Sequence, residues 1–179
     1  YYQFRQTETM ELDDIREEIT TFWADEQLPF GNGNEEALVR LEHEYGSSMP
    51  EPVRKYVREF LPEGDRWFEG WDYWREVFGY RRLSKKAIGY SYNPITAEEN
   101  PEWKPEWLLI GTQEGNPYIV DLAASSTKEE CPVLWAEHGA GKWRFVPIAA
   151  SLPTFFLCTC YVHHAMVHLR KKWPDTMES

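Results

Sequence analysis

The spacing of apolar residues changes twice along this chain, and this change restricts the possible folds more than any other feature. From Glu11 to Glu26, apolar residues recur at intervals of three and four, which predicts an amphipathic helix. The same spacing predicts a second helix, with Asn34 as its N-cap and Gly46 at its end, and a third helix from Val53 to Leu61. The first third of the chain is therefore expected to be helical.

The stretch from Trp67 to Tyr80 is dense in aromatic residues, and its periodicity is ambiguous. Trp67, Trp71 and Trp74 fit one face of a helix together with Phe78. We therefore predict a helix over this stretch.

Short runs that are rich in β-branched and aromatic residues follow, separated by Gly, Pro and Asn. They predict the strands of an antiparallel meander, which are Ala87 to Tyr92, Trp107 to Thr112, Tyr118 to Leu122, Val133 to His138 and Trp143 to Ile148. The link from Gly111 to Pro117 is short enough for a hairpin, in which Gly111 and Gly115 permit positive φ. Asn93 to Glu106, with three Pro and four Glu, is interpreted as a surface loop.

Helical spacing returns after Ser151, which is a good N-cap, and Pro174 ends it. The apolar stripe of this helix comprises Leu152, Phe155, Phe156, Val162, Met166, Leu169 and Trp173. The predicted fold class is α+β, with N-terminal helices, a central, mainly antiparallel sheet of about five strands, and a C-terminal helix packed on the sheet.

A chain of 179 residues is long enough to bury one core without disulfides or metal. Residues 10–179 are therefore expected to form a single domain. Residues 1–9 show no helix or strand pattern and precede the first Met, so we expect a lead that is disordered or foreign to the native protein.

The chain is strongly acidic, with a net charge of −11. This charge disfavours nucleic-acid binding, because phosphate recognition needs clustered Lys and Arg. An acidic surface suits a basic protein partner. Acidity also keeps an aromatic-rich chain in solution, and charge alone favours this second explanation.

The three cysteines, Cys131, Cys158 and Cys160, are too few for a disulfide framework and favour a reducing compartment. No apolar run approaches the roughly 20 residues that span a membrane, and the first residues lack a signal-peptide pattern. We therefore predict a cytoplasmic protein that does not bind membranes.

Cys160, His164 and His168 are spaced four residues apart and share one helix face, which is expected to point roughly toward solvent. Such residues can share a zinc ion, but the spacing typical of structural zinc sites is absent, so ordinary surface residues are the favoured interpretation. The sequence also lacks the motifs typical of nucleophilic catalysis and of phosphate binding. It predicts no metal, no cofactor and no enzymatic activity.

Three stretches carry a resemblance to a known family. They are LxxLExxYGxxMP from Leu38 to Pro50, WLLIG followed by GNPYIVDL between Trp107 and Leu122, and the run from Val133 through Leu157. Together they resemble the SUKH superfamily, which includes fungal cell-wall-synthesis regulators and many bacterial immunity proteins against polymorphic toxins. The resemblance covers about Glu35 to Leu157, but it does not account for the aromatic stretch 66–82 within that range.

The resemblance implies a protein-binding domain, and in particular an immunity protein that neutralises a nuclease-like bacterial toxin domain. Two alternatives remain, a regulatory scaffold or adaptor without a toxin partner, and a small-molecule-binding protein or enzyme with an aromatic cleft. Trp dominates interface hot spots, and acids complement a basic partner. The contact candidates are therefore Asp65, Trp67, Glu69, Trp71, Asp72, Glu98, Glu99 and Glu102. For any single residue, a packed aromatic helix with a solvated loop is the competing explanation.

Overall fold

Helices come first in the computed structural model, which describes residues 11–23, 27–71, 73–125, 131–139 and 142–173. They are α1 (Leu12–Phe22), α2 (Glu35–Tyr45) and α3 (Glu51–Lys55), which continues directly into a π-helical turn, Tyr56–Phe60. Asn34 caps α2 by accepting a hydrogen bond from the N–H of Ala37 at 2.8 Å, and Gly46 ends it in the left-handed conformation. The predicted N-terminal helices are confirmed. Residues 1–9 lie outside the described residues.

The strands and the remaining helices follow. The strands are β1 (Arg66–Glu69), β2 (Trp74–Val77), β3 (Tyr92–Asn93), β4 (Glu98–Glu99), β5 (Trp107–Gln113), β6 (Asn116–Asp121), β7 (Val133–Trp135) and β8 (Val146–Ala149). Six of them form one antiparallel sheet in the order β1, β2, β5, β6, β7, β8, and β3 pairs with β4 separately. The helices are α4 (Leu122–Ser125) and α5 (Leu152–Lys172). None of the described helices is both long enough and apolar enough to cross a membrane.

Helices cover one face of the large sheet. Phe156 of α5 packs against Phe60 and Phe68, with ring centroids 4.7 and 5.8 Å apart. Its neighbour Phe155 contacts Tyr118 of β6 at 5.0 Å. The α+β class with a C-terminal helix on an antiparallel sheet is therefore confirmed. The sheet has six strands because β1 and β2 join four of the strands expected from the sequence.

An aromatic cluster covers part of the opposite face. Trp107, Leu109 and Ile119 lie on the same face of the sheet. Tyr118, the neighbour of Ile119 in β6, lies on the opposite face. The cluster consists of Tyr90, Trp103, Trp107, His138, Trp143 and Phe145. The segment between β2 and β5 therefore acts as a cover for the sheet, because it contributes two of these rings.

Two predicted strands need correction near this cluster. Ala87 to Tyr92 forms turns with a single bridge between Ile88 and Tyr92, because Gly89 adopts a φ of +86° that interrupts an extended chain. The expected strand from Trp143 begins only at Val146, since the preceding rings turn into the cluster.

The predicted helix from Trp67 to Tyr80 is wrong, because this stretch forms the hairpin of β1 and β2. β2 also pairs with β5, so its backbone N–H and C=O groups form hydrogen bonds within the sheet instead of within a helix. Phe68 and Val77 are buried by this arrangement. Each strand has only four residues, so the alternation of buried and exposed side chains is not recognisable in a segment where aromatic residues occur on both faces.

The hairpin of β5 and β6 is confirmed, with a turn at Glu114 and Gly115, whose φ values are +50° and +86°. Gly111 has a different role from the one expected, since its φ is not positive. A β-carbon at Gly111 would lie 2.3 Å from the carbonyl oxygen of Glu76 on β2. Glycine is needed there because the two strands approach closely.

Candidate partner-binding surface

Three tryptophans are exposed on one hairpin, which we call the tryptophan hairpin and define as residues 66–77. The exposed fractions are 58% for Trp67, 67% for Trp71 and 47% for Trp74. By the strand register, Trp67 and Trp74 lie on the same face. Large aromatic side chains are usually mostly buried, so three exposed on one short hairpin mark a candidate interface.

The hairpin is firmly attached to the helices. The N–H of Glu69 donates a hydrogen bond to Nδ1 of His163 on α5 at 2.8 Å. The His163 ring stacks on Trp23 at 5.1 Å and meets the edge of Phe68 at 5.8 Å. The exposed tryptophans are therefore presented by an ordered element, which lowers the entropy cost of binding through them.

Two predicted contact residues, Asp65 and Glu69, form internal ion pairs. Asp65 accepts hydrogen bonds from the N–H of Gly79 at 2.9 Å and from Arg82 at 2.8 Å. The buried carboxylate of Glu69 pairs with Arg170 of α5. These carboxylates hold the ends of the hairpin in place. Asp72, another predicted contact, lies outside the described residues.

The predicted acids Glu98, Glu99 and Glu102 are all exposed. The first two form β4, and no described residue forms an ion pair with any of the three. Glu102 also borders an open groove of about 540 Å³, whose floor includes Trp107, Trp143 and Phe145 of the aromatic cluster. The exposed acids thus lie on the segment that covers the sheet, separate from the acids of the hairpin.

Sequence reasoning missed Trp74 as a surface residue. The helix interpretation placed Trp67, Trp71 and Trp74 together on one helix face, and Trp74 was not among the contact candidates. A strand interpretation would have placed Trp74 on the face of the polar Glu76, opposite the face of Val77, which is buried. The signal was present, but the two periodicities were not separable over so few residues.

The residues considered for a metal site do not come together. Cys160 is fully buried, and burial raises the pKa of its thiol, whereas His164 and His168 are exposed. The expectation that Cys160 points toward solvent is therefore wrong. Val162, expected in the buried stripe, is exposed instead. In the part of the chain that the structure describes, no three His, Cys, Asp or Glu residues are placed to hold a metal ion.

Comparisons with known proteins agree with the fold. Neither the curated proteins nor the solved structures gave a significant match. The model of the SMI1 / KNR4 family (SUKH-1) matches residues 32–158, more than two thirds of the chain, from just before α2 into the first two turns of α5. The tryptophan hairpin lies inside this range, and α1 lies outside it. The chain therefore belongs to the SMI1 / KNR4 (SUKH-1) family.

Proposed function

We propose that this chain is an immunity protein that binds a basic bacterial toxin domain and neutralises it, with the tryptophan hairpin at the centre of the contact. Family membership supports a protein-binding domain of the immunity type, and the family is not a known enzyme family. The observation that carries the proposal is the exposure of three tryptophans on one anchored hairpin.

Hot-spot energetics support this choice of surface. Truncation of a central interface Trp commonly costs about 2 kcal/mol or more of binding free energy, because a large rigid ring is desolvated at little entropy cost. Trp67 and Trp74 share a face, and Trp71 extends from the tip between their strands. A partner covering the hairpin would bury all three rings.

Charge supports a basic partner. The chain carries a net charge of −11, and Glu98, Glu99 and Glu102 form no ion pair with any described residue. Complementary charge accelerates association and steers the two surfaces together, mostly at low ionic strength. The acids would therefore set the rate of association, and the tryptophans would set the lifetime of the complex.

The test begins by identifying a toxin gene adjacent to the gene for this chain. The C-terminal domain of that toxin is then co-expressed with this chain, and growth and direct binding of the purified proteins are measured. The triple variant Trp67→Ala, Trp71→Ala, Trp74→Ala should fail to restore growth and should bind at least about 100-fold more weakly. Val39→Ala is the matched control, because Val39 is 57% exposed on α2, outside the hairpin. Full protection by a folded triple variant would contradict the proposed surface.

Charge reversal separates the two contributions. Replacing Glu98, Glu99 and Glu102 by Lys should lower the association rate at low salt and have little effect on dissociation. A chain that neither binds the toxin domain nor restores growth would instead support the adaptor alternative.

A further inference from the structure

A cleft opens between the first half of α5 and the sheet, on the opposite face from Trp67 and Trp74. Its volume is about 340 Å³, within the range of small-ligand sites. The wall on α5 comprises Phe155, Cys158 and Thr159, which lie on one helix face at spacings of three and four. The sheet contributes the remaining wall residues, which are Arg75, Gln113, Tyr118, Trp135, Ile148 and Ala149.

The polar groups of this cleft are brought together by strand pairing. Arg75 on β2 is directly opposite Gln113 on β5, and Tyr118 on β6 is directly opposite Trp135 on β7. Directly opposite residues of antiparallel strands share a face, so these side chains form a row beside α5. These residues come from separate strands and are mostly far apart in the sequence, so no local motif indicates the site.

The row presents hydrogen-bond donors. Nη2 of Arg75 donates to the hydroxyl of Tyr73 at 2.9 Å, and Tyr118 donates its hydroxyl proton to Oε1 of Gln113 at 2.7 Å. The amide nitrogen of Gln113 is thereby left to donate elsewhere. Nε of Arg75 and Nε1 of Trp135 are buried and have no hydrogen-bond acceptor among the described residues, which is energetically unfavourable.

The cleft contains no acid among its described walls, although the chain has 30 Asp and Glu residues. Arg75 forms no ion pair with any described residue, whereas Arg82 of the following turn pairs with two carboxylates. A guanidinium without a carboxylate, beside other unpaired donors, is complementary to a planar anion with two acceptor oxygens.

We propose that this cleft binds the carboxylate group of a ligand, with Arg75 as the charged donor and Gln113 and Trp135 as neutral donors. The apolar part of the ligand would lie against Phe155 and Ile148. This site is separate from the exposed face of the tryptophan hairpin, so its test is independent of the proposed toxin binding.

Cys158 supplies a reporter inside the cleft wall. It is exposed, whereas Cys131 and Cys160 are buried. Alkylation of Cys158 joins its sulfur to the methylene carbon of the reagent, releases iodide and passes the thiol proton to the buffer. Iodoacetate carries a carboxylate and iodoacetamide is neutral, so the ratio of their rates at Cys158 measures attraction of a carboxylate to the cleft.

The rate ratio, measured by mass spectrometry at fixed salt, should fall about tenfold in Arg75→Gln relative to the unsubstituted chain. Arg81→Gln removes the same charge from an exposed residue outside the cleft and should leave the ratio unchanged. Unlabelled Cys131 and Cys160 show that each variant is folded. An unchanged ratio in folded Arg75→Gln would overturn the proposal, as would an equal fall in Arg81→Gln.

Competition then identifies the source of the carboxylate. Protection of Cys158 from iodoacetamide by millimolar acetate would support a small carboxylate as ligand. Protection by a short peptide with a free C-terminus, but not by its amidated form or by acetate, would support a peptide end. Protection by none of these carboxylates would overturn the proposal.

Discussion

At the scale of single residues, one ion pair across the sheet edge holds the tryptophan hairpin to α5. The Glu69 side chain is only 6% exposed, while its partner Arg170 is 55% exposed. Removing Arg170 and removing Glu69 therefore have different consequences for stability. A buried carboxylate without its cation is costly, whereas a half-exposed guanidinium returns to water.

Arg170→Ala should lower the free energy of unfolding by about 2 kcal/mol, because it leaves the buried Glu69 carboxylate without its ion-pair partner. Glu69→Gln should cost less than about 1 kcal/mol, since the amide keeps the shape and removes the charge. Urea denaturation followed by tryptophan fluorescence measures both. Lys171→Ala, which removes an exposed charge on the next residue, is the control. A larger loss for Glu69→Gln than for Arg170→Ala would contradict this account.

At the scale of elements, the tryptophan hairpin depends on the contact between β2 and β5. Only three residue pairs join these strands, and Gly111 is one of them, opposite Val77. The strands approach so closely there that a side chain at Gly111 would overlap the backbone of Glu76. The absence of a side chain at Gly111 therefore helps to position the hairpin.

Gly111→Ala should lower the free energy of unfolding by at least about 2 kcal/mol, because backbone must move to admit the methyl group. It should also weaken the proposed binding to a toxin domain, because it displaces the hairpin. Gly64→Ala is a matched control, since a β-carbon there meets no atom within 4 Å and its φ is not positive. Chemical denaturation of both variants makes the comparison. Equal stability of the two would show that β2 and β5 do not approach as described.

At the scale of the whole molecule, burial affects the titration of the core. Burial raises the pKa of Tyr118 to about 12, and it also raises the pKa values of Tyr45, Tyr56 and Cys160. In the unfolded chain these groups ionise near their ordinary values of 9.0 for the thiol and 10.0 for the phenols. Folding therefore favours the neutral forms of these groups. Their contribution to the free energy of unfolding is fully present below the ordinary pKa values and is lost as the pH rises above them.

The free energy of unfolding should fall above about pH 9, at up to about 1.4 kcal/mol per pH unit for each group that ionises only on unfolding. Cys160→Ala should reduce the slope between pH 9 and pH 10, although it lowers stability at neutral pH by leaving a cavity. Urea denaturation at a series of pH values tests this. A stability independent of pH from 7 to 10.5 would contradict it.

Local signals account for the features that were predictable from the sequence. The caps at Asn34 and Ser151 depend on one side chain and a nearby backbone N–H. The hairpin of β5 and β6 depends on a two-residue turn with Gly115. Trp67 and Trp71 could be named as surface candidates from residue type, because Trp dominates interface hot spots.

The helical beginning, the antiparallel strands and the closing helix were thus determined by the sequence itself, because periodicity and capping act over a few residues. The tertiary structure decided that Trp67 to Tyr80 is a hairpin, that Trp74 is exposed, that Asp65 and Glu69 are paired internally, and that Cys160 is buried. Each of these depends on a partner distant in the chain: β5 for β2, Arg82 and Arg170 for the carboxylates, and the packed core for the thiol. Such contacts form only when the chain has folded, so the pattern within one segment was not enough to choose them over the alternatives.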